Sequence, residues 1–482
     1  MQKIILRRFF LKNIINSFVF IRFLYYICGI NCKCHIMKLK HTYRMILLAC
    51  ISMMLAMPVA AGDRLPSLPP ISTGIIHDET ELDFNFYGVT LRAARLDPVK
   101  VNSVRDHDVI KAWNDYRTRG VGNVLASLSM LSTELGLNDW FVFQLVRNYA
   151  DALLKTESPM DRVLLEHYLL MGLGYDIRLA RTERQLILLV PFEEEVYELG
   201  YITIGGKDYY LFYDNLEADM DEISVVYPCD PSMKDLGKGQ SFSLLFKDKA
   251  LNVSTGEDRI CDFDDGQIHV ACSVNPSVMK MLHNYPLMDL RCYASSVVLP
   301  QFHDAIQEQL LPQLEGMGQC DAADALLHFV QFVFGYEEDR AQYGQEKVNF
   351  IEENFYYDKN DCEDRSVLYA YLVKTLLGLE VQFVHYPGHD CTAVRFTDCF
   401  TRGNGYYYGD DYYLICDPSY IGAPIGRCMP RYQHMQPSVK MMNVVSACDD
   451  GGSPLQPRLD KRIIFPDFVL DTIPQQLPIH NN

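Results

Sequence analysis

Asp361-Cys362-Glu363-Asp364-Arg365 opens an apolar run that continues to Leu377. Asp361 reads as a helix N-cap and Cys362 as a first-turn residue. Val367, Leu368, Tyr371, Leu372 and Leu376 recur at helical spacing, so the helix should run to about Leu377 and bury that stripe. Gly378 closes it, and the apolar run Val381 to Tyr386 reads as a strand. Pro387-Gly388 makes a turn, and His389 begins a second strand, Cys391 to Phe396. A further strand, Tyr412 to Cys416, ends at Asp417, where Pro418 stops the pairing. The stretch thus reads as one helix followed by strands joined through tight turns.

The same stretch holds chemistry. His389 follows Cys362 by 27 residues, and Asp417 follows His389 by 28. A thiolate nucleophile, its base and the residue that orients the base are what cysteine-dependent acyl transfer requires. The helix dipole at Cys362 favours thiolate, whereas the charges of Glu363 and Asp364 oppose it. An ion pair with protonated His389 is needed for thiolate to prevail. His385 is the competing histidine, but it lies inside an apolar strand. His389, on a Gly-His turn, is expected to be accessible. Oxyanion stabilisation is assigned to the backbone N–H of Cys362, with Gln342 or Gln345 upstream as a second donor. Tyr357, in the run Phe355-Tyr356-Tyr357, is a candidate to line the cleft.

An internal repeat is the second strong signal. Asp161-Arg162 opens a helix that ends in Gly172-Leu173-Gly174, as Asp364-Arg365 leads to Leu377-Gly378-Leu379. Asp208-Tyr209-Tyr210-Leu211-Phe212-Tyr213-Asp214 likewise matches Asp411-Tyr412-Tyr413-Leu414-Ile415-Cys416-Asp417. One displacement covers both matches. Projected back, Cys362 falls on Ser158 or Pro159, and His389 falls on Gln185 or Leu186. Only Asp417 keeps its equivalent, Asp214. The first copy, residues 78–215 with its N-terminal strands, therefore reads as degenerate: Gln185 cannot replace a histidine base for Ser158.

Composition bounds the rest. Of 482 residues, 49% are hydrophobic and 22% charged, as in a globular protein with real cores. The first 61 residues hold nine Lys/Arg and no Asp or Glu, leaving 35 Lys/Arg against 62 Asp/Glu, a formal charge of −27. Such a surface repels nucleic acid and anionic membranes. Met37 to Ala61 reads as a secretory signal peptide: a basic start, the apolar run Met45 to Met57, and small residues at Val59-Ala60-Ala61. On this reading residues 1–36 have no role and Met37 is the start. The run is too short for a membrane span, so none is expected once the signal is removed. A periplasmic or secreted protein results; a lipoprotein acylated at Cys50 is the alternative. Eleven of the 15 cysteines follow Ala61, and an odd number leaves at least one thiol unpaired. No C-x-x-C pair occurs, so neither a structural metal nor a cofactor is expected. Residues 62–77 read as a Pro-rich linker, 216–300 as a β-rich middle domain, 301–445 as the catalytic domain and 446–482 as a tail.

The three motifs, Asp361-Cys362-Glu363-Asp364-Arg365, Pro387-Gly388-His389-Asp390-Cys391-Thr392-Ala393-Val394 and Cys416-Asp417-Pro418-Ser419-Tyr420, resemble those of the transglutaminase-like superfamily, in particular its bacterial cysteine-peptidase-like branch. The chain is also similar to long exported proteins of Bacteroidetes-type bacteria that carry such a C-terminal domain. The resemblance covers about residues 320–430, and residues 135–215 as a decayed copy. It implies a papain-like α+β fold, here duplicated, and a Cys362-His389-Asp417 triad. Three departures stand out. Asp361 replaces a glycine common before the nucleophile, Asp390-Cys391 replace small or aromatic residues, and Ser419 replaces a threonine. Cys391 beside His389 could form a regulatory or inactivating disulfide.

The expected activity is hydrolysis of peptide or cell-wall amides through an acyl-enzyme, with a peptide or protein amide as substrate. Transfer to an amine uses the same intermediate. The alternative is a non-catalytic binding or assembly protein built on two transglutaminase-like lobes. The oligomeric state is not legible in the sequence.

Overall fold

The structure is a computed structural model. It describes residues 80–442, other than 120, 156–157, 213–222, 224, 228–238, 247–250, 254 and 400–402, together with residues 458–459. The expected signal peptide, the linker up to residue 77, most of the C-terminal tail and Asp214 lie outside the described residues.

The chain is α+β. It begins with the hairpin β1 (Glu81–Phe86) and β2 (Val89–Ala94), followed by α1 (Asp106–Arg117), α2 (Gly122–Glu134), α3 (Asp139–Leu154) and α4 (Pro159–Gly172). The alternation Leu82-Asp83-Phe84-Asn85-Phe86 turns three apolar side chains inward, as a strand's period of two demands. Next come β3 (Arg178–Arg181), β4 (Leu186–Val190), β5 (Tyr201–Ile204), β6 (Lys207–Phe212) and β7 (Val225–Tyr227). These form one antiparallel sheet in the order β5-β6-β4-β3-β7.

Residues 259–300 supply one hairpin, β8 (Arg259–Asp264) and β9 (His269–Val274), and two short helices, α5 (Pro276–Leu282) and α6 (Leu290–Ala294). The helices α7 (Pro300–Leu314) and α8 (Gln319–Val333) follow. The side chains of Gln309 and Gln313, one turn apart on α7, accept from the backbone N–H groups of Ala271 and His269 at 2.9 Å and donate back to their carbonyls. Two glutamines thereby cover an edge that two strands alone would leave open.

The last third contains α9 (Asp339–Gln342), α10 (Ile351–Tyr356) and α11 (Cys362–Leu372), which continues as a π-helical turn over Val373–Leu377. The strands β10 (Glu380–Tyr386), β11 (His389–Arg395), β12 (Gly405–Tyr408), β13 (Asp411–Cys416), β14 (Ser438–Met441) and β15 (Arg458–Leu459) complete it. Their sheet has the order β14-β10-β11-β13-β12-β15.

The two large sheets share one connectivity. In each, a helix leads into a hairpin, a second hairpin pairs with it through its later strand, and the next strand adds on the opposite side; the second sheet also carries β15 beside β12. Leu186 and His389 begin equivalent strands 203 residues apart, and Tyr201 and Gly405 begin equivalent strands 204 apart.

One apolar core holds the helices, the β8–β9 hairpin and the inner face of both sheets. The outer face of each sheet has its own smaller cluster: Ala180, Ile187, Leu189, Tyr209 and Leu211 on the first, and residues including Val384, Tyr386, Cys391, Tyr406 and Ile415 on the second. Strands buried on both faces read as unbroken apolar runs, which is why Leu186–Val190 shows no alternation. Among the described residues, no helix is long and apolar enough to cross a membrane.

Candidate active site

Cys362 is the first residue of α11, and every residue of that helix from Asp364 to Leu372 is buried. Asp361 takes the N-cap position, but its side chain makes no capping hydrogen bond, contrary to expectation. Other contacts anchor the helix start. The Asp364 carboxylate accepts from both the backbone and the side-chain nitrogen of Asn349, at 2.7 and 2.8 Å. Arg365, 1% exposed, donates to the carbonyls of Gln331, Phe334 and Gly335, which close the C-terminal end of α8. Ser366 Oγ donates to the carbonyl of Asp390 at 3.2 Å.

The Cys362 thiol sits half-buried against the start of β11. It lies close enough to the backbone N–H of Asp390, the residue after His389, for that dipole to favour thiolate. It donates to Glu363 Oε2 at 2.8 Å. Among the described residues no hydrogen bond joins it to His389. Burial pushes this thiol well above its ordinary range, the Glu363 carboxylate adds to the rise, and the Asp390 N–H acts against it. The helix dipole does not prevail in this arrangement, because desolvation and an adjacent negative charge both favour the neutral thiol.

His389 and Asp417 do meet. Nε2 of His389 lies 2.8 Å from Asp417 Oδ2. The bonded ring nitrogen is Nε2 and not the Nδ1 expected from the sequence, so Nδ1 is the nitrogen left to serve a thiol. Gly388, at φ +68°, makes the turn that brings His389 into β11 opposite Tyr386. His389 is buried, not accessible as the Gly-His turn suggested. The ring of Tyr432 explains this: it stacks parallel to the imidazole at 5.1 Å, with Tyr386 stacked against it at 4.6 Å. The remaining oxygen of Asp417 accepts from the N–H and Oγ of Ser419 and from the N–H of Tyr420.

The pleat of β11 separates the partners. His389, Cys391 and Asp417 cluster on the outer face, whereas α11 packs on the inner face with Val394 and Cys416. On the inner face, His385 Nδ1 is hydrogen-bonded to the Asp390 carboxylate, and its buried Nε2 has no partner.

The other predicted residues make no hydrogen bond to the thiol. Gln342 donates to the hydroxyl of Tyr343 and the carbonyl of Lys359. Gln345 is exposed. Neither has a hydrogen bond to Cys362. Tyr357 stacks edge-on with Tyr343 and Tyr356. The aromatic ring whose electrostatic environment includes Cys362, Asp361 and Glu363 is Tyr336, which also lies 5.5 Å from the Arg365 guanidinium. In the first half, Ser158 caps α4 by accepting from Asp161 N at 3.4 Å, a structural task that occupies its hydroxyl. Gln185 precedes β4 and donates its N–H to Thr182.

Several supports of the site leave little trace in the local sequence. Gln331 on α8, 3% exposed, donates to the carbonyls of Asp417 and Ala423 and accepts from Gly422 N, all at 3.0 Å. The available signal was one polar residue within the apolar run Phe329 to Val333. A disulfide, Cys320–Cys399, joins the start of α8 to the segment that follows β11.

Among the described residues, two groups of side chains could hold a metal ion. Asp339, Asp361 and Asp364 are buried, with one oxygen from each within 4.8 Å of the others. Burial raises all three, Asp339 to about 7 and Asp361 to about 11. Buried carboxylates this close must share protons or surround a cation, and an all-oxygen set suits a hard one such as calcium or magnesium. His389, Cys391 and Asp417 form a nitrogen, sulfur and oxygen set of the same compactness, although His389 and Asp417 already bond each other. In comparisons with known proteins, the chain matches no family model and no curated sequence.

Proposed function

We propose that this chain is an exported cysteine-dependent acyl-transfer enzyme of transglutaminase-like, papain-like architecture that hydrolyses peptide or cell-wall amides. The observation that carries the reading is the buried His389–Asp417 pair, seated one residue from Asp390, whose carbonyl accepts from Ser366 near the head of the buried helix that Cys362 begins. The shared connectivity of the two sheets supports descent from a duplication, with the second copy as the catalytic one. The Cys320–Cys399 disulfide supports an oxidising compartment.

The chemistry runs through two transfers. The Cys362 thiol passes its proton to Nδ1 of His389, and the thiolate attacks the amide carbonyl. His389 then protonates the departing amine, leaving a thioester on Cys362. Water, deprotonated by His389, attacks the thioester and restores the thiol; an amine in that place gives transfer. Asp417 holds Nε2–H and steadies the imidazolium. Glu363 must first release the thiol proton, so the contact at 2.8 Å describes a resting arrangement.

The test is trapping. An electrophilic peptide probe should label Cys362 ahead of the other thiols, and Cys362→Ser and His389→Ala should each abolish that preference. Equal labelling of all thiols would remove the enzyme. A binding protein built on two such lobes is the second reading, favoured by the thiol's bond to Glu363 and by Ser158 and Gln185 in the first half.

A further inference from the structure

Cys261 and Cys272 face each other directly across the β8–β9 hairpin. Both are 5% exposed and sit on the face that enters the main core. In the structure both are free thiols. Directly opposed residues of an antiparallel pair have Cα atoms about 4.5 or 5.5 Å apart. Either spacing falls inside the range of about 4.4–6.8 Å that a disulfide spans. No backbone movement is therefore needed to join them. The chain already carries one disulfide, Cys320–Cys399, so its thiols meet oxidising conditions.

We infer that Cys261 and Cys272 are a second disulfide site, closed by exchange with an exogenous disulfide such as oxidised glutathione or a protein dithiol oxidase. The neighbouring Cys272 thiol and, after it, the Arg259 guanidinium draw the Cys261 thiol below its ordinary range against the effect of burial. Cys261 is thus the attacking sulfur. Its thiolate attacks one sulfur of the exogenous disulfide, a mixed disulfide forms, and one thiolate leaves. Cys272 gives up its proton to solvent and attacks the Cys261 sulfur, expelling the second thiolate. The pair loses two electrons, and the exogenous disulfide gains them as two thiols.

The cross-link would brace the approach to Cys362. Phe263, between the two cysteines in the hairpin, packs against Phe334 at the end of α8 and Phe355 of α10. Arg259 Nη2 lies 2.9 Å from Asp358, three residues before the N-cap of α11. A closed hairpin holds both elements that frame the start of that helix. The cross-link stands whether or not Cys362 reacts.

The test is a peptide map. The full chain, purified without reductant and exposed to oxidised glutathione, is unfolded in guanidinium with iodoacetamide and digested with trypsin. Both cysteines lie in one tryptic peptide, residues 260–280. The expected peptide carries neither alkyl group and is two hydrogens lighter than its reduced form. A peptide alkylated at both positions overturns the inference, and so does one joined to any other cysteine peptide. The melting temperature should also fall with reductant by more in the wild-type chain than in Cys261→Ser/Cys272→Ser, where Cys320–Cys399 is the one disulfide left among the described residues. An equal fall in both proteins overturns it, and if the double variant fails to fold the peptide map decides.

Discussion

The imidazole of His389 and the carboxylate of Asp417 are joined Nε2 to Oδ2 at 2.8 Å, with side chains 4% and 2% exposed. Each partner is fixed from behind. Three donors from Ser419 and Tyr420 hold the other oxygen of Asp417. Tyr432 lies parallel to the imidazole and blocks rotation of its plane. A carboxylate on Nε2 keeps the proton there and turns Nδ1 into the nitrogen that exchanges one.

Asp417→Asn tests that assignment. The substitution keeps the shape and removes the charge that favours imidazolium. General-base assistance accounts for about 10²–10⁴-fold in rate, so alkylation of Cys362 by iodoacetamide near neutral pH should slow by on the order of 10²-fold. Peptide-resolved mass spectrometry over time measures it. An unchanged rate would take Asp417 out of the site.

Glu363→Gln should act in the opposite direction. The carboxylate raises the Cys362 thiol by its charge and by accepting the thiol hydrogen bond. Glutamine removes the charge, so thiolate forms at lower pH. The alkylation profile should move down by about one pH unit, and the rate below the midpoint should rise about tenfold. A profile that stays in place would mean that burial alone governs the thiol.

Local patterns carried much of this architecture. The helix beginning at Cys362 was legible because acidic residues at its start and an apolar stripe agree. The strand ending at Cys416 was legible because Asp417-Pro418 stops it. What the sequence did not show depends on contacts between distant segments. Tyr432 lies 43 residues beyond His389, in a loop with no periodicity, yet its ring buries the imidazole. Asp361 has the residue type of a cap, but the nearby carboxylates of Asp339 and Asp364 make its position a charge cluster. Residues 216–300 show apolar runs separated by Gly and Asp, and only some become strands. Phe242 makes a single bridge to Phe192 and packs into the main core. The repeat was visible because strand-end aspartates and helix-closing glycines reflect backbone needs that outlast changes in side-chain chemistry.

Asp339→Asn should change how stability depends on pH. Burial raises the Asp339 carboxyl from 3.8 to about 7. Between these values the unfolded chain is ionised while the folded chain keeps its proton, so stability falls as pH rises and levels off above about 7. Asparagine can still accept from Lys347 N, the bond Asp339 makes at 2.7 Å, and has nothing to ionise. The variant should therefore match the wild type near pH 4 and exceed it at pH 8 by a few kcal/mol, because each pH unit crossed in that window costs the wild type about 1.4 kcal/mol. Urea denaturation at the two pH values measures the difference. Parallel curves for the two proteins would show that Asp339 does not hold a proton in the folded state.

Gln331→Ala should loosen the carboxylate from a distance. The amide of Gln331 satisfies two carbonyls and one N–H in the turn after β13, including the carbonyl of Asp417 itself. Alanine leaves these groups without partners in a buried site, at about 1–3 kcal/mol for each that water cannot reach. The urea midpoint should fall by the equivalent of about 3 kcal/mol with an unchanged slope. Gln331→Glu separates hydrogen bonding from volume. It keeps an acceptor for Gly422 N but points a second oxygen at two carbonyls, so it should destabilise at least as much although it creates no cavity. Both variants should also slow alkylation of Cys362, because the Asp417 backbone they release holds the carboxylate that orients His389. Lower stability with an unchanged alkylation rate would confine Gln331 to the fold.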